Sequence, residues 1–115
     1  MKALERIVSQ GVMKHLSPFV YNELFNLLED MDYYEPDAAH RFSLWTSAVR
    51  PDVQIIEHEQ VCSGYMGAYR MRTAEPVTAI VWVFFENGAM TMVLEDEIEK
   101  RKRGTCGHTI SGFIQ

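Results

Sequence analysis

The stretch VTAIVWVFFENGAMTMVL, residues 77–94, decides the fold of this chain. Two apolar runs flank Asn87-Gly88, and Asn-Gly is the strongest short-range signal for a β-hairpin because a type I′ turn needs positive φ at both central residues. With a loop of two residues, Glu86 lies opposite Ala89, and the pairing of all further residues follows by counting outward. The stretch therefore predicts a β-hairpin of fixed register.

Side chains alternate between the two faces of this hairpin, and both faces are largely apolar. The face expected to point into the core carries Val81, Val83, Phe85, Met90, Met92 and Leu94. The other face carries Ile80, Trp82, Phe84, Thr91 and Val93. A strand that is apolar on both faces is central in its sheet, or is covered by a second layer or by a partner.

Length and composition predict one domain. A chain of 115 residues with 47% hydrophobic residues can bury a single core without disulfides or metal. We expect an α+β domain over residues 1–99 and a basic, then glycine-rich, tail over residues 100–115. No apolar run is long enough for a membrane span or a signal peptide, which favours the cytoplasm. Cys62 and Cys106 are then expected to be free thiols, and one disulfide bridge is the alternative.

The remaining elements are predicted from short local signals. Ser17-Pro18 begins a helix, because serine accepts from free amides and proline fits the first helical position. Its apolar stripe consists of Val20, Leu24, Leu27, Leu28 and Met31. Strands are predicted at Arg6–Val12 with a bend at Gly11, at Arg41–Val49, at Val53–Val61 as a half-exposed or edge strand, and at Tyr65–Thr73. The whole predicts one long N-terminal helix packed on a mostly antiparallel twisted sheet of five to six strands, joined by sequential hairpins.

Charge is unevenly distributed along the chain. Residues 1–99 hold 7 basic and 16 acidic side chains, a balance of −9, and residues 100–103 return +4. Five carboxylates follow one another near the end of the predicted helix, where the macrodipole does not favour them: Glu29, Asp30, Asp32, Glu35 and Asp37. This acidic cluster is either a binding surface for a protein or a solvated helix end.

Direct binding of nucleic acid has weak support. An acidic body repels phosphates, so the candidate residues reduce to Lys100, Arg101, Lys102 and Arg103. Arg70 and Arg72 are predicted on one side of their strand, with Tyr65 and Tyr69 on the other. Stacking and phosphate contacts would therefore not share a surface.

Chemistry-bearing residues do not form a convincing site. His58 and Cys62, with Cys106 and His108, are the residue types of a zinc site, but i and i+4 residues of an extended strand lie more than about 10 Å apart at about 3.3 Å per residue. The common catalytic fingerprints are absent. We therefore expect no metal, no cofactor and no enzymatic activity.

The outer face of the hairpin offers a different kind of site. Trp82 and Phe84, with Trp45 from an earlier strand, would form an apolar surface suited to a homodimer or another protein. In the alternative interpretation, the first strand or the tail residues Phe113 and Ile114 cover this face.

Four short motifs resemble one protein family. They are Ile7–Val12, Leu16–Met31, Ile56–Val61 and Met90–Glu97. Together they are similar to the family called domain of unknown function 960, small proteins of Gram-positive bacteria and their mobile elements, over Arg6 to Glu97. The resemblance implies a compact α+β fold and no activity, cofactor or catalytic residue.

Three functions follow as hypotheses. The first is a non-enzymatic protein-interaction domain that uses the Trp82/Phe84 face, the acidic cluster or both. The second is a mobile-element inhibitor, of the anti-CRISPR or antirestriction type, whose carboxylates imitate phosphates in the basic channel of a nuclease. The third is an enzyme that uses His58 or a cysteine.

Overall fold

The computed structural model describes residues 5–30, 39–60, 64–86 and 88–98. In sequence order the elements are β1 (Glu5–Val8), α1 (Gln10–His15), α2 (Pro18–Glu29), β2 (His40–Thr46), β3 (Val53–Gln60), β4 (Tyr65–Arg72), β5 (Ala79–Glu86) and β6 (Ala89–Leu94). A 3₁₀ turn, Glu95–Glu97, follows β6. Among the described residues, no helix combines the length and the apolar character needed to cross a membrane. The predicted tail, residues 100–115, lies outside the described ranges.

The six strands form one mixed sheet in the order β1-β6-β5-β2-β3-β4. Every neighbouring pair is antiparallel except β1 and β6, which run parallel. The predicted α+β class and the mostly antiparallel sheet are therefore confirmed. The longer helix, α2, follows β1 and α1 in the sequence.

The central hairpin has the predicted register. Glu86 pairs with Ala89, and the ladder runs without a shift to Val81 opposite Leu94. Gly88 has a φ of 76°, the left-handed conformation that the turn requires. Asn87 lies outside the described residues.

Strand β5 is central because its side chains are buried on both faces. Val81, Trp82, Val83, Phe84 and Phe85 are all at most 9% exposed. It pairs with β6 on one side and with β2 on the other. The expectation of sequential hairpins throughout is therefore wrong at β4–β5, because β4 carries exposed side chains on one face and stays at the sheet edge, whereas β5 needs cover on both faces. Strand β3, predicted as half-exposed or an edge, is half-buried but lies between β2 and β4.

Helix α2 begins as its sequence predicts. The Ser17 hydroxyl accepts from the Val20 N–H at 3.3 Å, and Pro18 occupies the first turn. The buried residues of α2 share one core with the inner-face residues of β5 and β6: Val20, Leu24, Phe25 and Leu28. Predicted stripe residue Leu27 is partly buried, and Met31 lies outside the described residues.

The predicted strand Arg6–Val12 is wrong beyond Val8. Ser9 caps a short helix, α1, by accepting from the Val12 N–H at 3.1 Å. Gly11 therefore lies in a helical turn and not at a strand bend. A β-carbon at Gly11 would lie 2.6 Å from Glu97 Oε2, so glycine is needed for the close approach of that carboxylate.

Candidate functional site

A cleft of about 720 Å³ opens where β5 begins and β6 ends. Its lining residues among those described are His15, Val77, Thr78, Ala79, Ile80, Leu94, Glu95, Asp96 and Ile98. They come from the C-terminal end of α1, from the entry into β5 and from the 3₁₀ turn after β6. A cleft of this size, with apolar walls and a few polar groups, is the usual form of a binding site.

The cleft exists because the two strands of the hairpin have unequal lengths. Pairing with β6 ends at Val81 opposite Leu94, while β5 continues back through Ile80 to Ala79. Leu94 is still extended, so by the same count the next residue, Glu95, lies opposite Ile80. The cleft therefore opens beside Thr78 and Ala79, before the paired part of the hairpin.

The opposite side of this segment is held by Gln54. The Gln54 side-chain amide donates to the Val77 C=O at 2.8 Å and accepts from the Val77 N–H at 2.8 Å. It also donates to the Trp45 C=O at 2.8 Å. Pairing of β2 with β5 ends at Leu44 opposite Ala79, so this fully buried amide takes the place of main chain that β2 no longer supplies. The entry into β5 is therefore held in place at Val77.

The second wall of the cleft is anchored by Glu97. Its carboxylate accepts from the Ser9 hydroxyl at 2.6 Å, from the Leu94 N–H at 2.7 Å and from the Gly11 N–H at 3.2 Å. Burial opposes the charged form, but these three hydrogen bonds, with His15 nearby, outweigh it and lower the pKa of Glu97. A charged Glu97 thus ties the 3₁₀ turn to the start of α1.

The charged groups among the described lining residues are acidic. Glu95 accepts from the Trp82 indole N–H at 3.2 Å and lies 3.9 Å from Arg41, whereas Asp96 is exposed. His15 is the titratable base of the lining, and no described lysine or arginine lines the cleft. Asp96 is therefore the exposed carboxylate among the described lining residues, because Glu95 already contacts Arg41 and Trp82.

A second polar cluster is closed inside the core. His40 and His58 are fully buried, with His40 Nδ1 2.9 Å from His58 Nε2. The Phe42 ring stacks on His58 at 4.6 Å between centroids, and Tyr65 meets it edge-on at 5.3 Å. Burial lowers the pKa of His58 to about 4, so the ring is neutral at pH 7. Such a ring packs as a core residue and is out of reach of a substrate.

Sequence reasoning found His58 but missed His40. His40 was predicted in a loop with the strand beginning at Arg41, yet it opens β2 and pairs across the sheet with Gln60. The sequence did contain a signal for the burial of His40, because His40 continues the inward-facing alternation of Phe42 and Leu44. Of the predicted zinc-type residues only His58 is described, since Cys62, Cys106 and His108 lie outside the described ranges. The described residues contain no group of three metal-ligating side chains.

The predicted open face at Trp82 and Phe84 needs correction. The two rings stack at 6.1 Å between centroids and are 5% and 4% exposed within a single protein molecule. The two side chains are therefore buried and do not form an open apolar surface. The first strand does not supply that layer, because β1 lies beside β6 in the sheet. Phe113 and Ile114 lie outside the described residues.

Trp45, in contrast, remains on the surface at 48% exposure. It lies opposite Ile55 on β3, and Ile55 lies opposite Arg70 on β4. Arg70 and Arg72 are exposed on this outer face while Tyr65 and Tyr69 point inward, as predicted. The Trp45 indole donates to Glu57 at 3.4 Å. This surface is therefore open to solvent at Trp45.

The acidic cluster is only partly within the described residues. Glu29 is 3.3 Å from Arg6, which also donates to Asn26 at 2.6 Å and lies over the Phe25 ring. Asp30 is exposed at the end of α2. Asp32, Glu35 and Asp37, like the basic residues Lys100, Arg101, Lys102 and Arg103, lie outside the described residues. The inhibitor hypothesis and the weak nucleic-acid site therefore stay predictions.

Comparison with known proteins identifies a structure of similar fold but gives no function. No family model and no curated protein matches this sequence. Membership in the domain of unknown function 960 family stays a prediction. The protein is similar to a solved structure of a protein of unknown function from Enterococcus faecalis, with a TM-score of 0.69 and 16% sequence identity. The similarity covers 87% of this protein and 95% of that one, and it shows a shared fold.

Proposed function

We propose that this protein is a non-enzymatic protein-interaction domain whose partner binds in the cleft between the start of β5 and the 3₁₀ turn after β6. The observation that carries the proposal is a cleft of about 720 Å³ whose walls are the entry into β5 and the 3₁₀ turn after β6. A preformed cleft with apolar walls and a few polar groups is a common form of binding site.

Two features support a preformed site. Gln54 fixes one wall through main-chain hydrogen bonds at 2.8 Å, and Glu97 fixes the other through three. A wall that is already ordered loses little conformational entropy when a ligand binds. The exposed carboxylate of Asp96 fits a partner with basic residues, which includes a nucleic-acid-binding nuclease.

Quantitative affinity capture with the full-length protein tests this proposal. Thr78 is exposed in the cleft, so Thr78→Arg fills the site without disturbing a buried residue. Ala68→Arg is the matched control, because Ala68 is exposed on β4 at the far side of the sheet. We expect partners captured by the natural protein and by Ala68→Arg to be lost with Thr78→Arg. Partners that Thr78→Arg retains would contradict the proposal.

A further inference from the structure

We infer that two copies of this protein pair face to face through the outer face of β2, β3 and β4. Five side chains define this dimer face: Trp45, Ile55, Glu57, Met66 and Arg70. None of them is among the described lining residues of the cleft, so the inference goes beyond the proposed function and stands separately from it.

One row of side chains crosses the dimer face at right angles to the strands. Trp45 on β2 lies opposite Ile55 on β3, and Ile55 lies opposite Arg70 on β4. Trp45 is 48% exposed, Ile55 is half-buried and Arg70 is exposed. The row therefore carries an aromatic ring at one end, a cation at the other end and an apolar side chain between them.

The order of this row makes the dimer face complementary to itself. A two-fold axis parallel to β3 places Ile55 against Ile55 of the second copy, and each Trp45 against Arg70 of the other copy. A guanidinium over an indole ring is a favourable pair, and tryptophan is the aromatic side chain that attracts a cation best. Stacked sheets lie about 10 Å apart, a gap that side chains of this length can fill. Both ends of the row thus gain a partner at once.

The charges of the dimer face fit the same arrangement. The Trp45 indole donates to Glu57 at 3.4 Å, so an arginine that lies over the ring also reaches this carboxylate. Neither Glu57 nor Arg70 has an ion pair with another residue that the structure describes. Two Glu57 and two Arg70 side chains would therefore neutralise one another between the copies.

The rest of the outer face leaves room for the second copy. On β5, Trp82 and Phe84 are 5% and 4% exposed, so the sheet is already covered there. With the axis along β3, the β4 edge of the second copy lies over β2, and none of its described strands lies over β5. Met66, which is 64% exposed on β4, lies under β2 of the second copy and becomes covered.

The size of the dimer face sets the expected affinity. Three neighbouring strands are about 14 Å wide, so the contact is smaller than the roughly 800 Å² per partner of a standard interface. We therefore expect a reversible dimer with a Kd on the order of 10 to 100 μM.

Sedimentation equilibrium of the full-length natural protein, from about 10 μM to about 1 mM, measures this dimer. Trp45→Ala removes both rings from the interface and is expected to weaken the dimer at least about tenfold. Phe19→Ala is the matched control, because Phe19 is 59% exposed on α2 and does not belong to the dimer face. This control should leave the Kd unchanged. Circular dichroism checks that each variant is folded.

Charge exchange tests the two-fold arrangement itself. Arg70→Glu and Glu57→Arg each place like charges against one another in their own dimer, so each variant alone should dimerise at least about tenfold more weakly. Mixed in equal amounts, the two variants should recover dimerisation, because every contact between residues 57 and 70 again joins opposite charges. Lys14→Glu makes the same change of charge at an exposed position of α1 and should leave the Kd unchanged.

Three results would overturn the inference. The first is a protein that stays monomeric up to about 1 mM. The second is a dimer that Trp45→Ala and Arg70→Glu leave unchanged, because a different face would then hold it. The third is a failure of the folded charge variants to associate when mixed. Occupancy of the cleft is measured separately, by the partners that Thr78→Arg loses.

Discussion

Gln54 and His58 lie four residues apart on the inner face of β3, both fully buried, yet their polar atoms are satisfied differently. The Gln54 amide makes three hydrogen bonds of 2.8 Å to main-chain groups of Trp45 and Val77. His58 shares one contact of 2.9 Å with His40, and its Nδ1 has no hydrogen-bond partner among the residues that the structure describes.

We therefore expect the Gln54 end of the sheet to be insensitive to pH and the His58 end to be destabilised by acid. Main-chain hydrogen bonds of a neutral amide do not depend on pH, so the Gln54 end keeps its shape under all mild conditions. The His58 end is closed by rings and stays intact only while His58 is neutral. We therefore expect ligand binding to depend on the Gln54 end and acid stability to depend on the His58 end.

The largest effect is expected from Gln54→Met, which keeps the side-chain volume but leaves the part-buried main-chain groups of Val77 and Trp45 without their partner. The free energy of unfolding should fall by roughly 3 kcal/mol. Urea unfolding followed by tryptophan fluorescence measures this loss. A loss below about 1 kcal/mol would show that the amide does not hold the β5 entry.

Protonation of His58 in acid should lower the free energy of unfolding by a similar amount, which depends on pH. Burial lowers the pKa of His58 from 6.5 to about 4, so between these values the unfolded state binds a proton that the folded state does not. This contribution to stability is complete above pH 6.5 and is lost as the pH falls to about 4, a change of about 3 kcal/mol.

The measurement is urea unfolding at pH 7.5, 6, 5 and 4 for the natural protein and for His58→Gln. The stability of His58→Gln should decline less with acid than that of the natural protein. Parallel curves for the two proteins would contradict a titrating buried ring.

A smaller effect is expected at Glu97, whose carboxylate joins the 3₁₀ turn to α1. Glu97→Ala removes three hydrogen bonds at an exposed position and should cost roughly 1 to 2 kcal/mol of unfolding free energy. The neighbouring Asp96→Ala is the control and should change stability by less than about 0.5 kcal/mol. Equal effects of the two variants in thermal unfolding would show that the anchor is not specific.

The smallest effect is expected at Trp45. Its backbone carbonyl oxygen accepts from Gln54, and Trp45→Ala keeps this hydrogen bond. Its indole is exposed. Stability should change by less than about 0.5 kcal/mol, and the partners captured by the natural protein should be retained. Loss of those partners would move the site from the cleft to the outer face of β2 and β3.

The sequence predicts the hairpin well because turn chemistry and alternation both act over short distances. Asn87-Gly88 and the flanking apolar runs are enough to fix the whole β5–β6 ladder. Ser17 and Pro18 likewise locate the start of α2. In these places the local signals agree with the tertiary structure, so nothing distant changes the outcome.

Other features depend on contacts between distant parts of the sequence. Gly11 faces Glu97, 86 residues later, and no local signal separates that role from a strand bend. Gln54 reaches Val77 across the end of β2, and the burial of Trp82 depends on what covers it. One feature of the sequence could have indicated the cleft. The predominantly apolar run before the turn, residues 77–86, is longer than the run after it, residues 89–94.

Amide hydrogen exchange at Thr78 tests the central claim most directly, because Thr78 is exposed and lines the cleft that the partner is proposed to occupy. Nitrogen-15 NMR resolves this amide in the full-length protein. We predict fast exchange of the Thr78 amide in the free protein, slow exchange of the Val81 amide, and protection of Thr78 when a captured partner is added. Unchanged exchange of the Thr78 amide in the presence of the partner would contradict binding in the cleft.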